Sequence, residues 1–105
     1  MDESTFNALA DAALARLEAA LDGCDADFDF ELKAGGVLEL EFDDGAKVIV
    51  NRHSAAREIW VAAKSGGFHF RFDGQQWVNT RDGEELFAAL SRLVGGHAGR
   101  GVRLG

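Results

Sequence analysis

The chain carries a single cysteine, Cys24, in 105 residues, which excludes an intrachain disulfide framework and a cysteine-rich zinc site. A reducing, intracellular setting is the expectation, with the cytoplasm as the compartment. Long apolar runs are missing too: none approaches the roughly 18 residues that a membrane span requires. The N-terminus lacks a basic n-region and the Arg-rich, acid-poor character of a transit peptide, so the chain reads as a mature soluble protein that stays off membranes. Basic side chains are scarce in the first part of the sequence. Residues 1–44 set thirteen carboxylates against only Arg16 and Lys33, a balance of −11, while residues 45–105 set five against nine Lys and Arg, or +4, giving the net −7. This acidity argues against nucleic-acid binding, where phosphate neutralisation supplies much of the affinity.

What is present points to a packed core. A chain of this length fits one domain, residues 1–105, and buries about 60–70% of its unfolded surface. Eight Phe, two Trp and an apolar content of 47% agree with that. The crowding of acids then needs a reason, because like charges within a Debye length of roughly 8 Å repel one another. A cation or a basic partner would relieve that repulsion.

Hydrophobic periodicity lays out the elements. Phe6, Leu9, Ala10, Ala13, Leu17 and Leu21 recur at the helical period, predicting a helix over 4–21 with Asp2 and Ser4 as candidate N-caps. Asp11, Glu18 and Asp22 fall on the opposite side. After the break at 22–25 the period becomes two: in 27–32 Asp27, Asp29 and Glu31 share one strand face, and Phe28, Phe30 and Leu32 pack on the other. Further strands follow at 37–42, 46–52, 58–64 and 68–73, with a short sixth around Trp77. Gly35-Gly36, Asp44-Gly45, Gly66-Gly67 and Asp73-Gly74 mark the turns. Residues 82–94 return to helical spacing, with Leu86, Phe87, Leu90, Leu93 and Val94 as the stripe and Gly95-Gly96 as the stop; residues 96–105 form a Gly-rich tail in which Val102 and Leu104 are candidates to seal the groove between the helices. The fold class is α+β: a two-layer sandwich with two helices on one face of an antiparallel sheet of about six strands.

Strand parity makes the uncovered face readable. Ile59, Val61 and Ala63 form the apolar set of their strand, so Trp60 lies on the polar side and is expected to be substantially exposed. Around it the reading places Ile49, Asn51, Arg52, His53, His69 and Arg71, an aromatic, amide and cationic mixture suited to a partner.

The order of segments, the acidic first helix and strand, and the runs Val48-Ile49-Val50-Asn51-Arg52, Glu58-Ile59-Trp60-Val61-Ala62, Gly66-Gly67-Phe68-His69-Phe70, Asp73-Gly74, Trp77, Asp82-Gly83 and Leu86 resemble the frataxin family, its bacterial branch above all. The resemblance implies a non-enzymatic iron-binding protein of iron–sulfur cluster assembly that regulates, or delivers iron to, the cysteine desulfurase and the scaffold protein. It implies weak Fe²⁺ and Fe³⁺ binding along an acidic ridge that also docks the desulfurase, and an exposed sheet that meets the scaffold. The chain would be a monomer, with iron-dependent oligomers as a further state. On this sequence the ridge is Asp11, Glu18, Asp22, Asp25, Asp27, Asp29 and Glu31, and the sheet site is Asn51 and Trp60, with Arg52, His53 and His69 beside them. His53 stands where many members of the family have Gln, and Cys24 stands where an aromatic is usual.

The residues themselves lead the same way. Surface carboxylates on a helix face and a strand face are hard oxygen donors able to hold iron, other divalent cations or Ca²⁺ with water completing the shell, weakly and with little selectivity. The alternatives are a merely solvated acidic face, an acidic module that docks on a basic protein with incidental metal binding, and a ferroxidase. His53, His69 and His97 lack metal-ligand spacing in sequence, although His53 and His69 could cooperate across strands. Cys24 has no resolving cysteine, and no serine sits in a nucleophile motif, which argues against an enzyme.

Overall fold

The computed structural model describes residues 1–23, 28–42, 44–64, 66–98 and 104. Its first helix, α1, spans Glu3–Asp22, begun by Asp2, whose carboxylate accepts the Thr5 backbone N–H at 2.7 Å. That bond satisfies one of the donors that every helix start leaves open. Phe6, Ala10, Ala13, Leu14, Leu17 and Leu21 are its buried face.

Six strands follow, β1 Phe28–Lys33, β2 Val37–Phe42, β3 Lys47–His53, β4 Glu58–Ala63, β5 Gly66–Phe72 and β6 Trp77–Asn79, before the second helix, α2 Leu86–Ala98. Each strand pairs antiparallel with its chain neighbours, in the spatial order β1 to β6. The period-two pattern fixes which face is which. Leu38, Leu40, Phe42, Val48, Val50, Ile59, Val61, Phe70 and Trp77 are buried against α1 and α2, joined there by Leu86, Phe87, Leu90, Leu93 and Val94. Aromatic edges knit the two layers: Phe6 of α1 meets Trp77 at 5.8 Å in a T-shaped contact, and Phe72 meets it at 5.4 Å.

Several boundaries differ from the sequence expectation, each for a physical reason. Gly66-Gly67 belongs to β5 rather than to the turn, since Gly66 and Gly67 pair with Ala63 and Ala62. The acids before α2 precede the helix instead of opening it. Asp82 and Gly83 form a turn, Glu85 bridges to Val78, and the Glu85 carboxylate accepts the N–H groups of Phe87 and Ala88, so it caps the helix from outside. At its other end α2 runs through Gly95-Gly96 to Ala98. A glycine costs a helix interior about 1 kcal/mol, less than the burial of Leu93 and Val94 returns. Leu104 is buried, its backbone N–H donating to Ser91 Oγ at 2.8 Å, while Val102 lies outside the described residues. Leu32 was expected to pack with Phe28 and Phe30, yet it is 49% exposed, because β1 is an edge strand and Leu32 lines an open groove beside α1.

Phe70, fully buried on the covered face of β5, provides the test of this core. Phe70→Ala should destabilise the protein by about 3–5 kcal/mol in a urea titration followed by circular dichroism.

Candidate functional site: a carboxylate edge and an open sheet face

The predicted ridge separates into two groups on either side of β1. Asp11, Glu18 and Asp22 lie along the exposed side of α1, and Asp11 and Glu18 border a shallow groove with Leu14, Ala15, Leu32 and Lys33. Asp29 and Glu31 point the other way, onto the open face of the sheet. There the register sets Asp29 opposite Glu41 and Glu31 opposite Glu39, two like-charged cross-strand pairs of the kind that destabilise a sheet unless a cation intervenes. Asp25 and Asp27 lie outside the described residues, as does Cys24.

Lysines supply part of the compensation. Glu39 holds Lys33 at 2.9 Å and Lys47 at 3.1 Å, and Lys47 also stands 3.7 Å from Glu41. The hydrogen bonds from Lys33 and then Lys47 hold the Glu39 carboxyl below its ordinary pKa, and Glu39 in turn raises both lysines. Glu18, Asp22, Asp29 and Glu31 make no hydrogen bond or salt bridge among the described residues. No three His, Cys, Asp or Glu side chains among the described residues converge on a point that could enclose a metal ion. The donors are available singly and in pairs at the surface.

Arg52 corrects the parity reading. It follows Val48 and Val50 on the covered side of β3, and its guanidinium forms an ion pair with Asp11 of α1 instead of joining Trp60 on the open face. The β1–β2 turn makes room for it. Gly36 has φ +77°, its carbonyl accepts the Arg52 N–H at 3.0 Å, and a Cβ at Gly36 would sit 3.0 Å from Arg52 Nε. Only glycine combines that backbone with that approach. Asp11 is therefore partly neutralised from within the fold.

On the open face the structure brings Asn51, His53, Trp60 and His69 together. Asn51 pairs with Trp60 and Trp60 with His69 across β3, β4 and β5. Trp60 is half-buried rather than widely exposed, because His53 stacks on it at 3.8 Å and 12° and His69 at 4.5 Å and 10°. With the two imidazoles on opposite faces of the indole, they cannot share one metal ion. Beneath the stack lies Glu58, only 6% exposed, a residue that sequence reasoning did not single out. Its Oε1 accepts the Trp60 indole N–H at 2.8 Å and stands 3.5 Å from His69 Nδ1, while its Oε2 accepts Arg71 Nε at 3.2 Å. A carboxylate two residues before a tryptophan, on the same strand face and opposite a histidine, was the available signal.

This architecture has a class: a two-layer α+β protein with one sheet face left bare and a carboxylate-bearing edge. The chain belongs to the frataxin family, since residues 1–100 match the frataxin-like domain. It is 62% identical over 104 residues to the iron-sulfur cluster assembly protein CyaY of Dechloromonas aromatica (strain RCB), with 99% of each chain covered. The protein of the same description from Cupriavidus metallidurans is 53% identical over 103 residues, covering 94% of this chain and 92% of that one. Frataxin from Psychromonas ingrahamii superposes with a TM-score of 0.92 at 28% identity, covering 100% of this chain and 99% of that one. Trimeric frataxin from the yeast Saccharomyces cerevisiae, solved in complex with ferrous iron, gives 0.69 at 25% identity, covering 95% and 88%.

The lysine bridge yields a pH test. Because the Glu39 carboxyl is lowered in the folded state, its contribution is present above the ordinary carboxylate pKa and is lost as pH falls through the folded value. Glu39→Gln should thus lower the melting temperature at pH 7, and the gap to the wild type should close as the pH is taken down toward 3.

Proposed function

We propose that this chain is an iron-binding protein of iron–sulfur cluster assembly, with a non-enzymatic role. Ferrous and ferric iron would be held weakly by the carboxylates of α1 and β1, with Glu18, Asp22, Asp29 and Glu31 as the available donors and Asp11, Asp25 and Asp27 beside them. The observation that carries this reading is the set Glu18, Asp22, Asp29 and Glu31, carboxylates on adjacent elements for which no described lysine or arginine stands within salt-bridge distance, in a chain whose close relatives are described as cluster assembly proteins. Hard oxygen donors on separate side chains suit Fe²⁺ and Fe³⁺ with water filling the shell, and their openness favours release over storage. The same acids would dock a basic surface of the cysteine desulfurase, and Asn51, Trp60, His53 and His69 would face the scaffold protein. Iron and the desulfurase would then compete for one surface.

A second reading has its own support. The carboxylates do not converge, and Asp11 is tied to Arg52, which suits an acidic docking module whose metal binding is incidental.

Two experiments separate these. In an anaerobic Fe²⁺ titration followed by backbone amide resonances, residues 18–31 should shift or broaden selectively; uniform or absent changes would remove iron from the proposal and leave the docking module. The triple variant Asp22→Lys, Asp25→Lys, Asp29→Lys should lose desulfurase binding at physiological salt in a pull-down, and full retention would rule out docking through this edge.

A further inference from the structure

The open face contains a device that neither iron nor the acidic edge explains. Two imidazoles clamp one indole, and a buried carboxylate, Glu58, holds the indole N–H and stands beside His69. We propose that the His53–Trp60–His69 stack is a proton-operated control on the charge and rigidity of the open sheet face.

With both imidazoles neutral, the fixed charges against the stack are Glu58 and Arg71, which cancel through their own ion pair at 3.0 Å. The other charged groups nearby are engaged elsewhere or turned away. Arg57, just after the 3-10 turn that follows His53, donates to the Ser54 carbonyl; Arg52 is on the covered side with Asp11; and Lys47, farther along β3, is held by Glu39. On β2 the residue opposite Asn51 is Val37 and on β6 the residue opposite Arg71 is Val78, so neither flanking strand adds a charge there; just after β6, Arg81 lines a small pocket with His69 and is the remaining cation near the stack. Histidine is the side chain whose charge changes between pH 5 and 8, and here two of them flank one ring.

The two positions answer a proton differently. His69 presents Nδ1 to Glu58 Oε1 at 3.5 Å, so a proton there gains both a carboxylate partner and the π-face of Trp60. His53 Nδ1 is buried with no hydrogen-bond partner among the described residues. A charge on His53 places an N–H where nothing accepts it, and it also faces the His69 charge across the indole. Protonation at His69 therefore tightens the stack, and protonation at His53 opens it. In both cases the face turns positive, and a partner presenting carboxylates binds it more tightly as pH falls.

The test uses the full chain, without iron or partner, so its outcome is independent of the function proposed above. Taken from pH 8 to pH 5, the Trp60 indole N–H resonance should move along a sigmoid while that of buried Trp77 holds still. In the double variant His53→Gln, His69→Gln the movement should vanish with the amide spectrum still dispersed. If that variant fails to fold, His69→Gln alone, at a side chain 49% exposed, should remove most of the movement. A flat Trp60 resonance in the wild type, or an unchanged curve in the folded variants, would overturn the proposal.

Discussion

Everything on this molecule's surface depends on the burial of one sheet face beneath two helices. Phe6, Leu17 and Leu21 from α1 and Leu86, Leu90 and Val94 from α2 seal Leu38, Leu40, Val48, Val50, Ile59, Val61 and Phe70 from water. Because side chains alternate along a strand, sealing one face commits the other to solvent, and a one-residue slip in register would exchange the two. The carboxylates of β1 and β2 and the aromatic cluster of β3, β4 and β5 are outward-facing for that reason alone. Neither could be moved without unmaking the core.

The acidic bias is correspondingly more structured than a bulk asymmetry. Of the thirteen carboxylates in residues 1–44, Asp11 is consumed by Arg52, and Glu39 and Glu41 share Lys47. Of those that remain among the described residues, Glu18 and Asp22 lie on the outer side of α1 and Asp29 and Glu31 on the open side of β1. Repulsion among these groups costs stability that the fold retains. Electrostatic attraction to such a surface is limited by exposure and by salt.

Much of this was legible in the sequence because it follows from periodicity. The alternation in 27–32 and 37–42 and the stripe from Phe6 to Leu21 depend on near neighbours, and the frataxin resemblance covers nearly the whole length. Arg52 shows where such reasoning fails. Its parity with Val50 was readable, but its partner, Asp11, is 41 residues away, and only the height of α1 over the sheet decides that the two meet. Glu58 shows another limit: its spacing from Trp60 was readable, but an acid on an open face reads as solvated, and only the pairing of β4 with β5 brings His69 and Arg71 against it.

By itself the sequence determined two helices, six antiparallel strands, the face most strand side chains take, and the family, because these depend on residue spacing that chain geometry converts directly into direction. Only the tertiary structure decided which charges cancel and which rings stack. Those outcomes require the lateral register of β3, β4 and β5 and the seat of α1 on the sheet, and both are set by packing summed over the whole core. The Trp expected to stand exposed is instead clasped between two histidines, and the described acids of the expected ridge lie on two sides of an edge strand.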